Sequence, residues 1–133
     1  MDKISTHFRR SEFACKCKCG FSAVDLELVA ILEDVRDYFQ DKFPLERVTM
    51  EISSGCRCPK YNAKVGGAPE SFHVKAMAAD IKVWERWQVA QINPDFVADY
   101  LEKAYALRYG IGRYSTFTHL DVRPNCARWD KRK

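Results

Sequence analysis

Histidine is scarce in this chain: positions 7, 73 and 119 hold all 3 among 133 residues. A site built on histidine therefore leaves almost none to spare. Long apolar runs are missing altogether. None approaches the roughly 18 residues of a membrane-spanning helix, which excludes a transmembrane segment. The first ten residues, MDKISTHFRR, lack the apolar stretch of a secretory leader. The expectation is synthesis in the cytoplasm without a signal peptide. Internal repeats and low-complexity linkers are also missing, which excludes a solenoid and a flexibly tethered pair of domains.

What is present reads as one domain spanning residues 1–133, with 47% hydrophobic and 30% charged residues. That length can bury a core without disulfide staples. The net charge is +4, but the last four residues, Asp130 to Lys133, carry half of it. A basic tail over 130–133 suits adhesion to any polyanion, including an anionic wall polymer. A nearly neutral body argues against a specific nucleic-acid reader. Six cysteines in a protein made in the cytoplasm point to thiols or metal ligands before disulfides.

Residues 1–21 form a polar, cysteine-bearing N-terminal segment. Val24, Leu28, Ile31, Leu32, Val35 and Phe39 then recur at helical spacing as far as Pro44. Ser22 with Asp25 reads as a capping box for that helix. Over 47–54, Val48, Met50 and Ile52 alternate with Thr49, Glu51 and Ser53, the pattern of a half-buried strand. Pro59 begins a short turn or helix through Tyr61 and Asn62, and Gly66, Gly67 and Pro69 mark a loop. Residues 78–83 predict a second strand, with Ala79, Ile81 and Val83 facing away from Ala78, Asp80 and Lys82. Asn93-Pro94 starts a helix that runs from Phe96 to Leu107. Strands over 109–114 and 116–122 follow. Helices flanking a mainly antiparallel sheet make an α+β fold.

The chemistry concentrates in two places. His73 lies at the end of the Gly/Pro loop, and Asp80 sits on the polar face of the next strand. His119 and Asp121 share one face of a later strand, because strand side chains alternate with period two. Two imidazoles and a carboxylate are the donor set of a catalytic zinc site, where three protein ligands leave a fourth position open.

The sequence here resembles a known family. Ser71-Phe72-His73-Val74-Lys75-Ala76-Met77-Ala78-Ala79-Asp80 is similar to the S-x-H-x-x-G-x-A-x-D signature of the zinc D-Ala-D-Ala carboxypeptidases and L-Ala-D-Glu endopeptidases. These are peptidoglycan peptidases that share a fold with the hedgehog signalling domain. The segment from Ser53 to Pro59, with Tyr61-Asn62, resembles the family's S-G-x-R-x-x-x-x-N block. Val65 to Ala68 resembles its following loop. Tyr109 to Tyr114 and Phe117 to Pro124 resemble the closing strands of its phage-type, single-domain branch, and Phe8 to Gly20 its N-terminus.

The resemblance implies one catalytic Zn²⁺ held by His73, Asp80 and His119. It implies that Arg57 holds the developing oxyanion or a substrate carboxylate, and that Ser71 hydrogen-bonds the substrate. Several relatives carry an acid three residues before the last histidine, where this chain has Thr116. Asp121 is the expected replacement as general base, with orientation of a ligand as its other reading. Ala76 stands where the family has glycine, a local cost if the position needs a positive φ.

The implied protein is a monomeric zinc peptidase that cuts an amide bond involving a D-amino acid in peptidoglycan stem peptides. The role it suggests is endolysin-like lysis of a cell wall by a phage-type enzyme. The alternative is a catalytically inactive, zinc-holding binding module of the same fold, which the missing acid at 116 favours. Cys15, Cys17 and Cys19 with Cys56 and Cys58 are open to three readings: free thiols, cross-pairing, or a second structural zinc of unusual spacing. None is assigned to catalysis. Trp84, Trp87, Tyr109, Tyr114 and Trp129 are candidate lining for a substrate groove.

Overall fold

The computed structural model describes residues 2–133. After a 3-10 turn at Arg10–Phe13, helix α1 spans Leu26–Lys42. Its buried stripe, Leu28, Ile31, Leu32, Val35 and Phe39, is the face that the three- and four-residue spacing predicts. Asp25, not Ser22, caps it: the Asp25 carboxylate accepts from the Glu27 N–H at 2.8 Å. Ser22 lies outside the helix, in a stretch without regular structure, and the Asp25 N–H donates to the Ala76 carbonyl.

Strand β1 is Val48–Ser54, helix α2 is Pro59–Lys64 with proline at its start, and β2 is Ala78–Glu85. A turn leads to the two-residue strand β3, Ala90–Gln91. Helix α3 is Pro94–Ala104, capped by the Asn93 side chain on the Asp95 N–H. It stops three residues short of the expected Leu107. Tyr105 leaves helical geometry, and the Arg128 guanidinium takes the carbonyls of Tyr105, Ala106 and Arg108 instead. Strands β4 (Gly110–Arg113), β5 (Thr118–Asp121) and β6 (Ala127–Asp130) complete the chain.

The sheet order is β1-β2-β5-β4-β6, with β3 added beside β2. Every pairing is antiparallel except β4 with β6. The fold is the expected α+β arrangement. β6 and β3 are additions that the sequence patterns do not announce. β6 also anchors the basic end, since the Lys131 N–H reaches the Arg113 carbonyl at 2.8 Å.

One face of the sheet, with Ala79, Ile81, Val83, Ile111 and Leu120, packs into the core with α1 and α3. Each fully buried leucine, isoleucine or phenylalanine there contributes about 1.5–3 kcal/mol relative to exposure. The opposite face carries Asp80, His119 and Asp121. The buried apolar layer thus backs the strands that carry these polar side chains. Among the described residues, no helix is long and apolar enough to cross a membrane.

Candidate active site

The register of β2, β5 and β4 sets Asp80 directly opposite His119, and His119 opposite Gly112. His73 comes from the loop before β2, and its ring lies 5.1 Å from that of His119. The three side chains are buried, and their donor atoms lie within 4.8 Å of one another.

Each imidazole is oriented by a bond on its far side. The Nδ1–H of His73 donates to the Gly55 carbonyl at 2.7 Å. A carbonyl can only accept, so Nδ1 carries the proton and the lone pair of Nε2 points at Asp80 Oδ1, 3.3 Å away. His119 is arranged the other way round. Its Nε2–H donates to Asp121 Oδ2 at 2.7 Å, which turns Nδ1 toward the same Asp80 Oδ1 at 2.9 Å. Two lone pairs and one carboxylate oxygen therefore converge, which is the donor chemistry that zinc takes. The residues present fit the metal.

The electrostatics agree. Burial works against a charged Asp80, but its interactions with His119 and His73 outweigh it and hold its pKa at about 2. Burial likewise opposes a charged His119, yet Asp121 and Asp80 flanking its ring raise its pKa. The site is thus built to hold positive charge between Asp80 and the two rings.

Asp121 is fully buried. Burial disfavours its charge, but the Arg123 guanidinium and His119 hold its carboxyl well below the usual range. Arg123 donates to both carboxylate oxygens, from Nε and Nη2, each at 2.7 Å. This fork fits only because residue 110 is glycine. A Cβ there would lie 2.5 Å from both Asp121 oxygens and from Arg123 Nε. Gly55 is similarly constrained, since a Cβ would meet the Phe13 carbonyl oxygen at 2.5 Å.

Arg57 follows β1 and is held on three sides. Its backbone N–H donates to the His73 carbonyl at 2.9 Å, Nε to Ser54 Oγ at 3.1 Å, and Nη1 to Asn62 Oδ1 at 3.2 Å. Nη2 stands 3.6 Å from Asp80 Oδ2. The Ser71 hydroxyl accepts from the His73 N–H at 3.2 Å, which leaves its own hydrogen available to a ligand.

These residues open onto a cleft of about 580 Å³. Of the expected aromatics, Tyr114 and Trp129 line it. Tyr114 stacks on Phe117 at 4.3 Å, and Trp129 approaches His119 at 5.0 Å. Trp84, Trp87 and Tyr109 lie elsewhere: Trp84 bonds Glu51, Trp87 is exposed, and the Tyr109 hydroxyl bonds Glu27. Phe72 and Phe117 line the cleft without having been singled out by the sequence. Arg123 and the Gly55 carbonyl were missed as well. An Asp-x-Arg spacing at the end of a strand signals the first; nothing in a sequence signals a carbonyl.

An α+β sheet presenting two histidines and a carboxylate to an open cleft belongs to the class of metal-dependent hydrolases. Residues 6–121 match the family model of Peptidase M15, and the chain belongs to that family of zinc-dependent, D-Ala-D-Ala carboxypeptidase-like metallopeptidases. No curated protein and no solved structure matches the chain.

Proposed function

We propose that the protein is a peptidoglycan hydrolase that cuts an amide bond involving a D-amino acid in the stem peptide, with one Zn²⁺ on His73, Asp80 and His119. The convergence of His73 Nε2, His119 Nδ1 and Asp80 Oδ1 carries the reading. When bound there, zinc supplies an acidified water and a Lewis acid for the scissile carbonyl.

The chain's own groups divide the remaining work. Arg57, pinned by Ser54 and Asn62, presents a fixed guanidinium to the developing oxyanion or to a substrate carboxylate. Ser71 donates its free O–H to the substrate backbone. Phe72, Tyr114, Phe117 and Trp129 give the peptide an apolar wall. The Asp121 carboxylate, the base expected from the sequence, takes the orienting role instead: both oxygens are committed to Arg123, and one also to His119. Three carboxylates line the cleft, those of Glu70, Asp80 and Asp121. Asp80 serves the metal and Asp121 serves His119. Glu70, at the exposed rim, is left to take the proton and pass it to the leaving amine.

The reading takes the active unit to be a monomer, with the three metal ligands, Arg57 and Ser71 all supplied by this chain. The resemblance of the closing strands to the phage-type branch supports an endolysin-like role at the cell wall. The absence of an acid at Thr116, with Asp121 tied up, favours a second reading: a binding module that holds zinc without cleaving.

Mass spectrometry of muropeptides released by the wild type and by His73→Ala decides between them. The peptidase releases new amino termini that the variant does not. An intact zinc-loaded protein that releases none is the binding module.

A further inference from the structure

A second cluster of metal-ligating side chains lies outside the cleft. The sulfurs of Cys15, Cys17, Cys19 and Cys58 all fall within 4.8 Å of one another. Cys15 and Cys17 are 3.4 Å apart, Cys17 and Cys58 3.6 Å, and Cys15 and Cys58 3.8 Å. All four are free cysteines. A tetrahedron with zinc–sulfur bonds of about 2.3 Å has an edge of about 3.8 Å. The thiols thus stand at the spacing of a tetrathiolate metal site.

We propose that Cys15, Cys17, Cys19 and Cys58 bind a second zinc ion, a structural one, that fastens the N-terminal segment to the turn carrying Arg57.

The one-residue spacing of the first three cysteines, unusual for such sites, is accommodated by the backbone. Lys18 and Gly20 adopt φ of 64° and 96°, which curl the segment instead of leaving it extended. The Lys18 N–H closes onto the Cys15 carbonyl at 3.0 Å, and the Cys15 N–H onto the Phe21 carbonyl at 2.8 Å. The Cys58 N–H also donates to Cys15 Sγ and the Tyr61 N–H to Cys58 Sγ, both at 3.4 Å. Backbone donors of this kind stabilise thiolate charge and orient the sulfur.

Charge and selectivity agree. Zinc with four thiolates carries a net charge of about −2, and the four thiol protons leave to solvent on binding. Lys16 and Lys18 alternate with the ligands and offset that charge locally. Cys56 is excluded: it is buried and directs its S–H to the carbonyls of Phe13 and Phe21. Cys126 is exposed and lies outside the cluster. Four protein ligands leave no open position, so the site is structural. Its reach is from residues 15–19 to Cys58, the neighbour of Arg57.

The test uses the full chain loaded with zinc or with cobalt(II). Wild type is expected to hold two equivalents of zinc. The double variant His73→Ala/His119→Ala should keep one, and Cys17→Ser/Cys19→Ser should keep the other. Cobalt bound to the histidine variant should show an intense sulfur-to-metal charge-transfer band in the near ultraviolet. If the cysteine variant does not fold, the histidine variant and the wild type still decide. Loss of all metal from the histidine variant, or cobalt bound there without the thiolate band, overturns the proposal. So does reaction of all four thiols in the zinc-loaded wild type with a thiol reagent as fast as Cys126.

Discussion

Asp121 holds His119 by Nε2, at 2.7 Å, on the side of the ring that faces away from Asp80 and His73. The contact fixes which nitrogen is presented to the metal donors. Arg123 completes the relay by gripping Asp121 through both oxygens. Removing the charge while keeping the shape, as in Asp121→Asn, should therefore weaken zinc binding about 10- to 100-fold. Chelator competition measures it. Unchanged zinc affinity with activity abolished would return Asp121 to the role of base.

Glu70 makes the opposite prediction. It lines the cleft but is not among the three donors that converge on the metal position. Glu70→Gln should lower kcat by about 10²- to 10⁴-fold, the usual contribution of a general base. Zinc content measured on the same sample should stay at the wild-type level. Near-normal turnover would remove Glu70 from the mechanism.

Ala76 sits between the loop of His73 and strand β2 with a φ of 59°. Its carbonyl accepts from the Asp25 N–H, and its own N–H reaches the His73 carbonyl, so the conformation cannot relax. Alanine pays a left-handed penalty of about 1–2 kcal/mol that glycine avoids, partly offset by glycine's greater freedom when unfolded. Ala76→Gly should therefore raise stability by about 1 kcal/mol, or about 4 °C in Tm for a chain of this size. Thermal unfolding with and without zinc checks it. A lower Tm would mean that the methyl group's packing outweighs the strain.

These residues also show what a sequence can and cannot announce. The convergence of His73, Asp80 and His119 was legible because the motif spacing sets His73 in the loop just ahead of β2 and the strand period sets Asp80 and His119 on one sheet face. The long apolar periodicities of α1, β1 and β2 were legible for the same reason. β6 was not: its four residues, Ala127 to Asp130, pair with β4 across 17 positions and show no clean alternation. β3, two residues long, is too short to carry a pattern. The bond from His119 Nε2 to Asp121 was not legible, because it depends on ring orientation, not on spacing. Trp84, Trp87 and Tyr109 were misplaced as groove candidates because aromatic identity says nothing about direction.

The third histidine has a structural use. His7 donates to Glu33 through its backbone N–H at 2.7 Å and lies 2.6 Å from it through Nδ1, while Ser5 donates a third bond at 2.6 Å. Burial raises the Glu33 pKa, but these bonds outweigh it, so the folded value lies below the ordinary 4.5. A depressed carboxyl stabilises the fold above the unfolded pKa and ceases to do so as pH falls through the folded one. Glu33→Gln should thus cost about 1 kcal/mol at pH 7, with the difference from wild type shrinking by pH 3. Denaturant titrations at the two pH values test this. A gap that stays constant would assign the effect to packing.

Arg57 tests the substrate side of the site without disturbing the metal. Ser54 and Asn62 hold two arms of the guanidinium in a plane, and the third stands 3.6 Å from Asp80. Lysine keeps the charge but has neither the planar fork nor the reach to satisfy both partners. If Arg57 aligns the oxyanion, Arg57→Lys should lower kcat/KM by about 100-fold, mainly in kcat. If it only captures a substrate carboxylate, the loss should appear in KM. Zinc content should stay near wild type in either case, because lysine keeps a positive charge beside Asp80, while the lost bonds to Ser54 and Asn62 should lower Tm by a few degrees. Steady-state kinetics on a soluble stem peptide separate the two roles. Activity within twofold of wild type would place Arg57 outside the chemistry, leaving the cleft's other cations, Arg123 and Lys131, to meet the substrate's charge.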